Sequence, residues 1–165
     1  MMLCAMSGES SSSHASGTLS LPQFTAGAMH HMDCKVELDD GRTWSVQADT
    51  RTRLGTVLDE SGQALGWTET GGKGTRQVVL PGGVQAPVFF QDKLFSRLVW
   101  IGDTSFKAVM MLEGPKRVFG DDRIRLEHRD FHSEVRFLCL PELLVPAVLV
   151  AFEVYARPSI GNSRR

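Results

Sequence analysis

LLVPAVLVAF, residues Leu143 to Phe152, carries no charge, amide or hydroxyl, and it closes a chain that otherwise reads as short strands and turns. A helix resting on a surface keeps a polar stripe, whereas one apolar on every side is buried in protein or lies in lipid. Ten residues lie between Glu142 and Glu153, and as a helix they cover roughly 15 Å. The core of a bilayer needs about 30 Å and about 20 apolar residues. The segment is therefore read as a short helix enclosed by the protein's own sheet, and no transmembrane span is expected. Pro146 fits if the helix proper begins near Val145, because proline is welcome in a first turn and disruptive further in. Pro141 to Leu144 then form a lead-in turn, and Pro158 with Gly161 marks the far side.

Upstream of that helix the chain alternates strands with turn signals. CKVEL ends at Asp39-Asp40-Gly41, and TWSVQA follows with Trp44 and Val46 on one side. LGTVL and QALGW flank Asp59-Glu60-Ser61-Gly62, a second hairpin signature. RQVVL, APVFF, SRLVWI, SFKAVMML, KRVF, DRIRLEH and HSEVRFLCL come next, separated by Gly, Pro and Asp clusters. Turn signals spaced in this way belong to an all-β sandwich or barrel.

The chain of 165 residues suits one domain with a real core. Its net charge of −1 gives no reason to expect nucleic acid as a partner. Cys4, Cys34 and Cys139 are widely spaced and odd in number, so they read as ordinary thiols in a reducing, cytoplasmic setting. Before Asp33 the only formal charge is Glu9, and a serine run leads into scattered Gly, Ala and Thr. Such a stretch has little bulky apolar material to offset its ordering entropy. Residues 1–32 are accordingly expected to be a flexible tail, 33–158 the folded domain, and 159–165 a second tail. Neither a secretory signal nor an Arg-rich transit peptide is recognisable, and Met29 or Met32 could be an alternative start.

Motifs for chemistry are sparse. His128, Asp130 and His132 would share one face of a strand, yet the apolar phase changes from Ile124 and Leu126 to Val135 and Phe137, which bends the segment and scatters them. Gly71-Gly72-Lys73-Gly74-Thr75 lacks the spacing of a P-loop, because Gly74 follows the lysine and Trp67 replaces the first glycine. There is no G-x-S-x-G elbow, and Asp39-Asp40 and Asp121-Asp122 read as turn residues. The chain is expected not to be an enzyme and to need no metal or cofactor. What remains is basic: Lys93, Arg97, Lys107, Lys116 and Arg117, with Arg129 and the outward pair Arg123 and Arg125, which could grip a phosphate.

His132 to Ala156, HSEVRFLCLPELLVPAVLVAFEVYA, resembles the end of the tubby-like C-terminal fold, a superfamily that includes tubby proteins, LURP-one-related proteins and phospholipid scramblases. The segment looks like that fold's last strand, a proline-containing link, and a helix ending near an acid, here Glu153. Val57 to Gly66, VLDESGQALG, is similar to the D-x-x-G repeats of LURP-like members. The resemblance implies a mainly β fold, a closed antiparallel β-barrel around a short hydrophobic C-terminal helix. It also implies a non-enzymatic role as a scaffold for a protein partner or in binding phosphoinositide or other anionic phospholipid, peripherally at a membrane. Lys93, Arg97, Lys107, Lys116 and Arg117 are the residues expected to meet that lipid. A second resemblance, to PilZ receptors of cyclic di-GMP, rests on TVLDESGQALG and on SEVRFLCLPELL. There Ala64 stands where the D-x-S-x-x-G pattern wants glycine, and Arg51 is followed four residues later by Gly55, so the preceding arginine pair is absent.

Overall fold

The alternation of apolar and polar residues that marks the strands is carried into a single antiparallel sheet. The computed structural model of the protein describes residues 14–20, 31–49, 51–52, 54–70, 76–82, 88–92, 97–101, 104–108, 111–113, 116–120, 123–129 and 134–156. The strands are β1 (Ala15–Ser20), β2 (Met32–Leu38), β3 (Thr43–Ala48), β4 (Gly55–Leu58), β5 (Ala64–Thr70), β6 (Arg76–Val79) and β7 (Val88–Asp92). They continue with β8 (Arg97–Ile101), β9 (Thr104–Ala108), β10 (Met111–Glu113), β11 (Lys116–Gly120), β12 (Ile124–Arg129) and β13 (Glu134–Cys139). SFKAVMML, one run in the sequence, is thus divided between β9 and β10. A 3-10 turn, Pro141–Leu143, leads into helix α1 (Leu144–Ala156). Pro146 therefore sits in the first turn of the helix, where its missing N–H and fixed φ do no harm.

Side-chain phase explains the curvature of the sheet. In β2, Met32, Cys34, Val36 and Leu38 are buried and Asp33, Lys35 and Glu37 exposed. Trp44, Val46 and Ala48 continue the buried face in β3, as do Ile124 and Leu126 in β12 and Val135, Phe137 and Cys139 in β13. The strand order is β10-β11-β12-β13-β1-β2-β3-β4-β5-β6-β7-β8-β9. Eight consecutive members of it, from β12 through β13 and β1 to β6, form an open half-barrel whose concave side holds the helix. The expected closed barrel is not what forms. Closure needs a ladder joining the two ends of the order, and none joins β9 to β10 among the described residues. β10, only three residues long, offers few backbone groups for such a ladder, although β9 does approach β11 in space.

A second expectation is corrected at the start of the chain. Ala15–Ser20, assigned above to a flexible tail, is strand β1, paired to β13 on one side and β2 on the other. It is the third of the eight strands of the half-barrel, flanked on both sides. Composition hid it, because its large apolar content is a single residue, Leu19, which is fully buried. Its stability comes instead from two backbone ladders and from close approach at Gly17. The rest of 1–32 up to residue 13, residues 21–30, and 157–165 lie outside the described residues.

Helix α1 packs against β1, β4, β5, β12 and β13. From Ala147 to Glu153 every residue is at most 4 % exposed, so no face of this stretch reaches water. Glycines admit it. A Cβ on Gly66 would lie 2.7 Å from Val145 Cγ1, and one on Gly55 would meet Val46, Phe152 and Leu149 at 3.2–3.7 Å.

Candidate functional site

Polar groups of the folded part fall into three places: inside the half-barrel, across its outer face, and along the strands that carry the basic residues. Inside, Glu153 is 1 % exposed and its Oε2 lies 3.3 Å from Nε of Arg76, the first residue of β6. Burying a carboxylate is costly without such a partner, so the pair ties the far end of the helix to one strand. Nearby on β5 the buried Thr68 hydroxyl accepts from the Gly55 N–H at 2.8 Å and donates to the Gly55 carbonyl at 3.3 Å. Glu153 is the acid expected at the helix end, whereas nothing in the sequence marks Arg76 as its partner, because the contact between β6 and the helix is non-local.

Outside, Arg136 on β13 reaches over β1 to Asp39, at the end of β2. Nη1 and Nη2 donate to the two carboxylate oxygens, both at 3.0 Å, and Nη1 also donates to Thr18 Oγ1 at 3.2 Å. Ser16 Oγ donates to Asp39 Oδ2 at 2.5 Å. The Asp39 carboxyl is held down to about 2, first by its bonds from Arg136 and then by that from Ser16. Three strands are strapped together in this way. The hairpin tip beside it is also self-paired: Arg42 donates to Asp40 and its guanidinium stands 5.2 Å from the Trp44 ring centroid.

The Asp59 turn, which carries the likeness to D-x-S-x-x-G, is spent on its own geometry. Asp59 Oδ1 accepts from Ser61 N–H at 2.9 Å, Ser61 Oγ at 2.7 Å and Gln63 N–H at 2.9 Å. These bonds, the Ser61 hydroxyl first, lower the pKa of the Asp59 carboxyl below the usual carboxylate value. Gly62 takes φ +89°, a left-handed conformation that glycine accepts without strain. The thiols of Cys34 and Cys139 are pushed up to about 12, mainly by burial, with Asp33 and Glu142 adding to it. They are held as neutral core groups at ordinary pH.

The expected lipid-binding residues are distributed over both ends of the strand order. Lys93 lies outside the described residues. Arg97 opens β8 opposite Ala108, and Lys107 lies in β9 opposite Leu98. One register step therefore separates Arg97 from Lys107, and the two positions take opposite phases of the sheet. Lys116 and Arg117 are consecutive in β11, opposite Arg129 and His128. β9 and β11 approach each other in space, so Lys107 and Lys116 stand on strands that lie near one another although they are at opposite ends of the strand order. On β12, Arg125 Nε lies 3.4 Å from Glu127 Oε2, so that arginine is already engaged with an acid. Asp130, His132 and the 71–75 loop are outside the described residues, and among the described residues no cluster of metal-ligating side chains forms. Comparison with family models, with curated proteins and with solved structures found no match.

Proposed function

We propose that this protein is a non-enzymatic binding or scaffold protein of tubby-like type, whose ligand is an anionic phospholipid surface met peripherally from the cytoplasm. The observation that carries this reading is the helix enclosed on all sides from Ala147 to Glu153. The likeness in His132 to Ala156 implies a closed barrel around a terminal apolar helix; the enclosed helix supports that reading, while the sheet around it is an open half-barrel. Among the described residues, no helix is long and apolar enough to cross a membrane. Among the described charged groups, Asp40, Arg42 and Asp59 serve turns, Asp39 and Arg136 the outer strap, Arg76 and Glu153 the interior pair, and Lys35 with Glu37 and Arg125 with Glu127 pair along strands, which suits a scaffold. Lys107 and Lys116, on strands that lie near one another, are the first residues to bear on lipid, with Lys93, Arg97 and Arg117 flanking them.

Sedimentation with vesicles tests the proposal. The full chain should pellet with vesicles containing phosphatidylserine and phosphoinositide and remain in solution with neutral phosphatidylcholine. Each cation near an anionic surface is worth about 1 kcal/mol, so Lys107→Ala with Lys116→Ala should weaken binding about 30-fold. Equal binding to both vesicle types, or binding to neither, ends the lipid reading. Heat released on adding cyclic di-GMP in the absence of lipid binding would instead identify a nucleotide receptor.

A further inference from the structure

We propose that β1 is an exchangeable strand, and that the slot it fills between β2 and β13 also accepts the same segment from a second copy of this chain. The slot is two-sided. Ala15 to Ser20 pair with Cys139 to Glu134, and Gly17 to Ser20 with Leu38 to Lys35. When β1 leaves, two facing ladders lose their partner at once, and unpaired strand edges seek another strand.

What the slot accepts is narrowly defined. At Gly17 an added Cβ would stand 2.7 Å from the Glu37 carbonyl oxygen, 2.8 Å from Phe137 Cζ and 3.1 Å from Leu38 Cα. Two of those atoms are backbone and cannot swing aside, so the position demands glycine. Two residues on, Leu19 fills the core and is fully buried. On the outer side Ser16 and Thr18 bond to the Asp39–Arg136 strap. A Ser-Gly-Thr-Leu order satisfies all four positions in register. Gly55-Thr56-Val57 is a partial match and is already built into β4. The matching partner is therefore another β1.

Release gives up two backbone ladders and the outer strap but little apolar burial. β1 contributes one large side chain, Leu19, to the buried core, whereas β2 contributes Met32, Cys34, Val36 and Leu38 and β13 contributes Val135, Phe137 and Cys139, and elements with few apolar contacts open before the whole fold does. Eleven residues separate Ser20 from Met32, where a tight hairpin uses two to five. Extended, they reach roughly 36–40 Å, enough to cross to a neighbouring copy. A tethered strand competes with an effective concentration of order millimolar. Closed monomers thus predominate at micromolar protein, and exchange rises with concentration.

Ser20 and Glu134 are directly opposed in the β1–β13 ladder, and they give a trap that uses the full chain. With Cys4 changed to Ser in both, one pool carries Ser20→Cys and the other Glu134→Cys. The pools are mixed, held for hours at increasing concentration, and oxidised mildly. The expected result is a covalent heterodimer on a non-reducing gel, increasing with total concentration and lost when Gly17→Val is added to the Ser20→Cys chain. Ser20→Cys and Glu134→Cys placed in one chain should close within that chain. Closure there with no heterodimer in the mixture overturns exchange. A heterodimer unaffected by Gly17→Val reports collision alone and also overturns it, and failure of the single-chain variant to close overturns the register itself.

Discussion

Asp39 and Arg136 are 97 residues apart in sequence and meet as a two-pronged pair on the outer face. Because folding holds the Asp39 carboxyl at about 2 rather than near 3.8, the folded state favours its ionised form. The resulting stabilisation is complete above the unfolded value and is lost as pH falls from about 4 toward 2. Both side chains are about half exposed, so solvent screening keeps the contribution within roughly 0–1 kcal/mol. Melting temperatures of the parent and of Asp39→Asn should differ modestly at neutral pH and converge as pH falls to about 2. A difference that persists at pH 2 would place the effect in packing. This pair was not legible in the sequence: Asp39 announced only a turn and Arg136 only a charge. The basic residues were legible as exposed-type cations, but their phase depends on ladder registers that no local pattern encodes.

Among the elements, α1 makes the sharpest prediction. Leu149 and Val150 are 0 % and 2 % exposed although they project from different sides of the helix. Leu149→Ala should cost about 2–5 kcal/mol through lost burial and a cavity. Val150→Asp should cost more, because it places a charge where no partner waits. Thermal melts of both variants decide it, and a Val150→Asp protein that melts like its parent would mean the helix has an open side. The helix, its proline-bearing first turn and its lead-in could be read from sequence because length, proline position and the absence of polar residues all agree. β3 was equally plain, since Trp44 and Val46 alternate with polar neighbours. β1 was not, because a strand of Ala, Ser, Gly and Thr around one leucine has the composition of a tail. What makes it a strand is the shape of β2 and β13, which lies far away in the chain.

For the molecule as a whole, the strand order joins sequence neighbours almost everywhere, and the exception is the pairing of β1 with β13. The antiparallel sheet was evident from turn spacing, whereas its openness was not, since closure depends on the end strands alone. Non-local pairing slows folding, because the loop entropy is spent before the contact forms. Refolding by stopped-flow fluorescence of the tryptophans should therefore fall in the millisecond-to-second range. A microsecond phase carrying the full amplitude would show that the β1–β13 ladder is not part of the cooperative unit.

That same ladder has a consequence during synthesis. Of the described strands, β1 is the first to emerge from the ribosome and β13 the last. Thr18 and Arg136 are separated by 118 residues, which at about 5–20 residues per second take roughly 6–24 s to make. Throughout that interval β1 can occupy only the β2 side of its place, with its other edge bare. The nascent chain is thus exposed longest at its N-terminal strand, and the small, polar composition that disguises β1 as a tail also makes it a poor seed for aggregation while it waits.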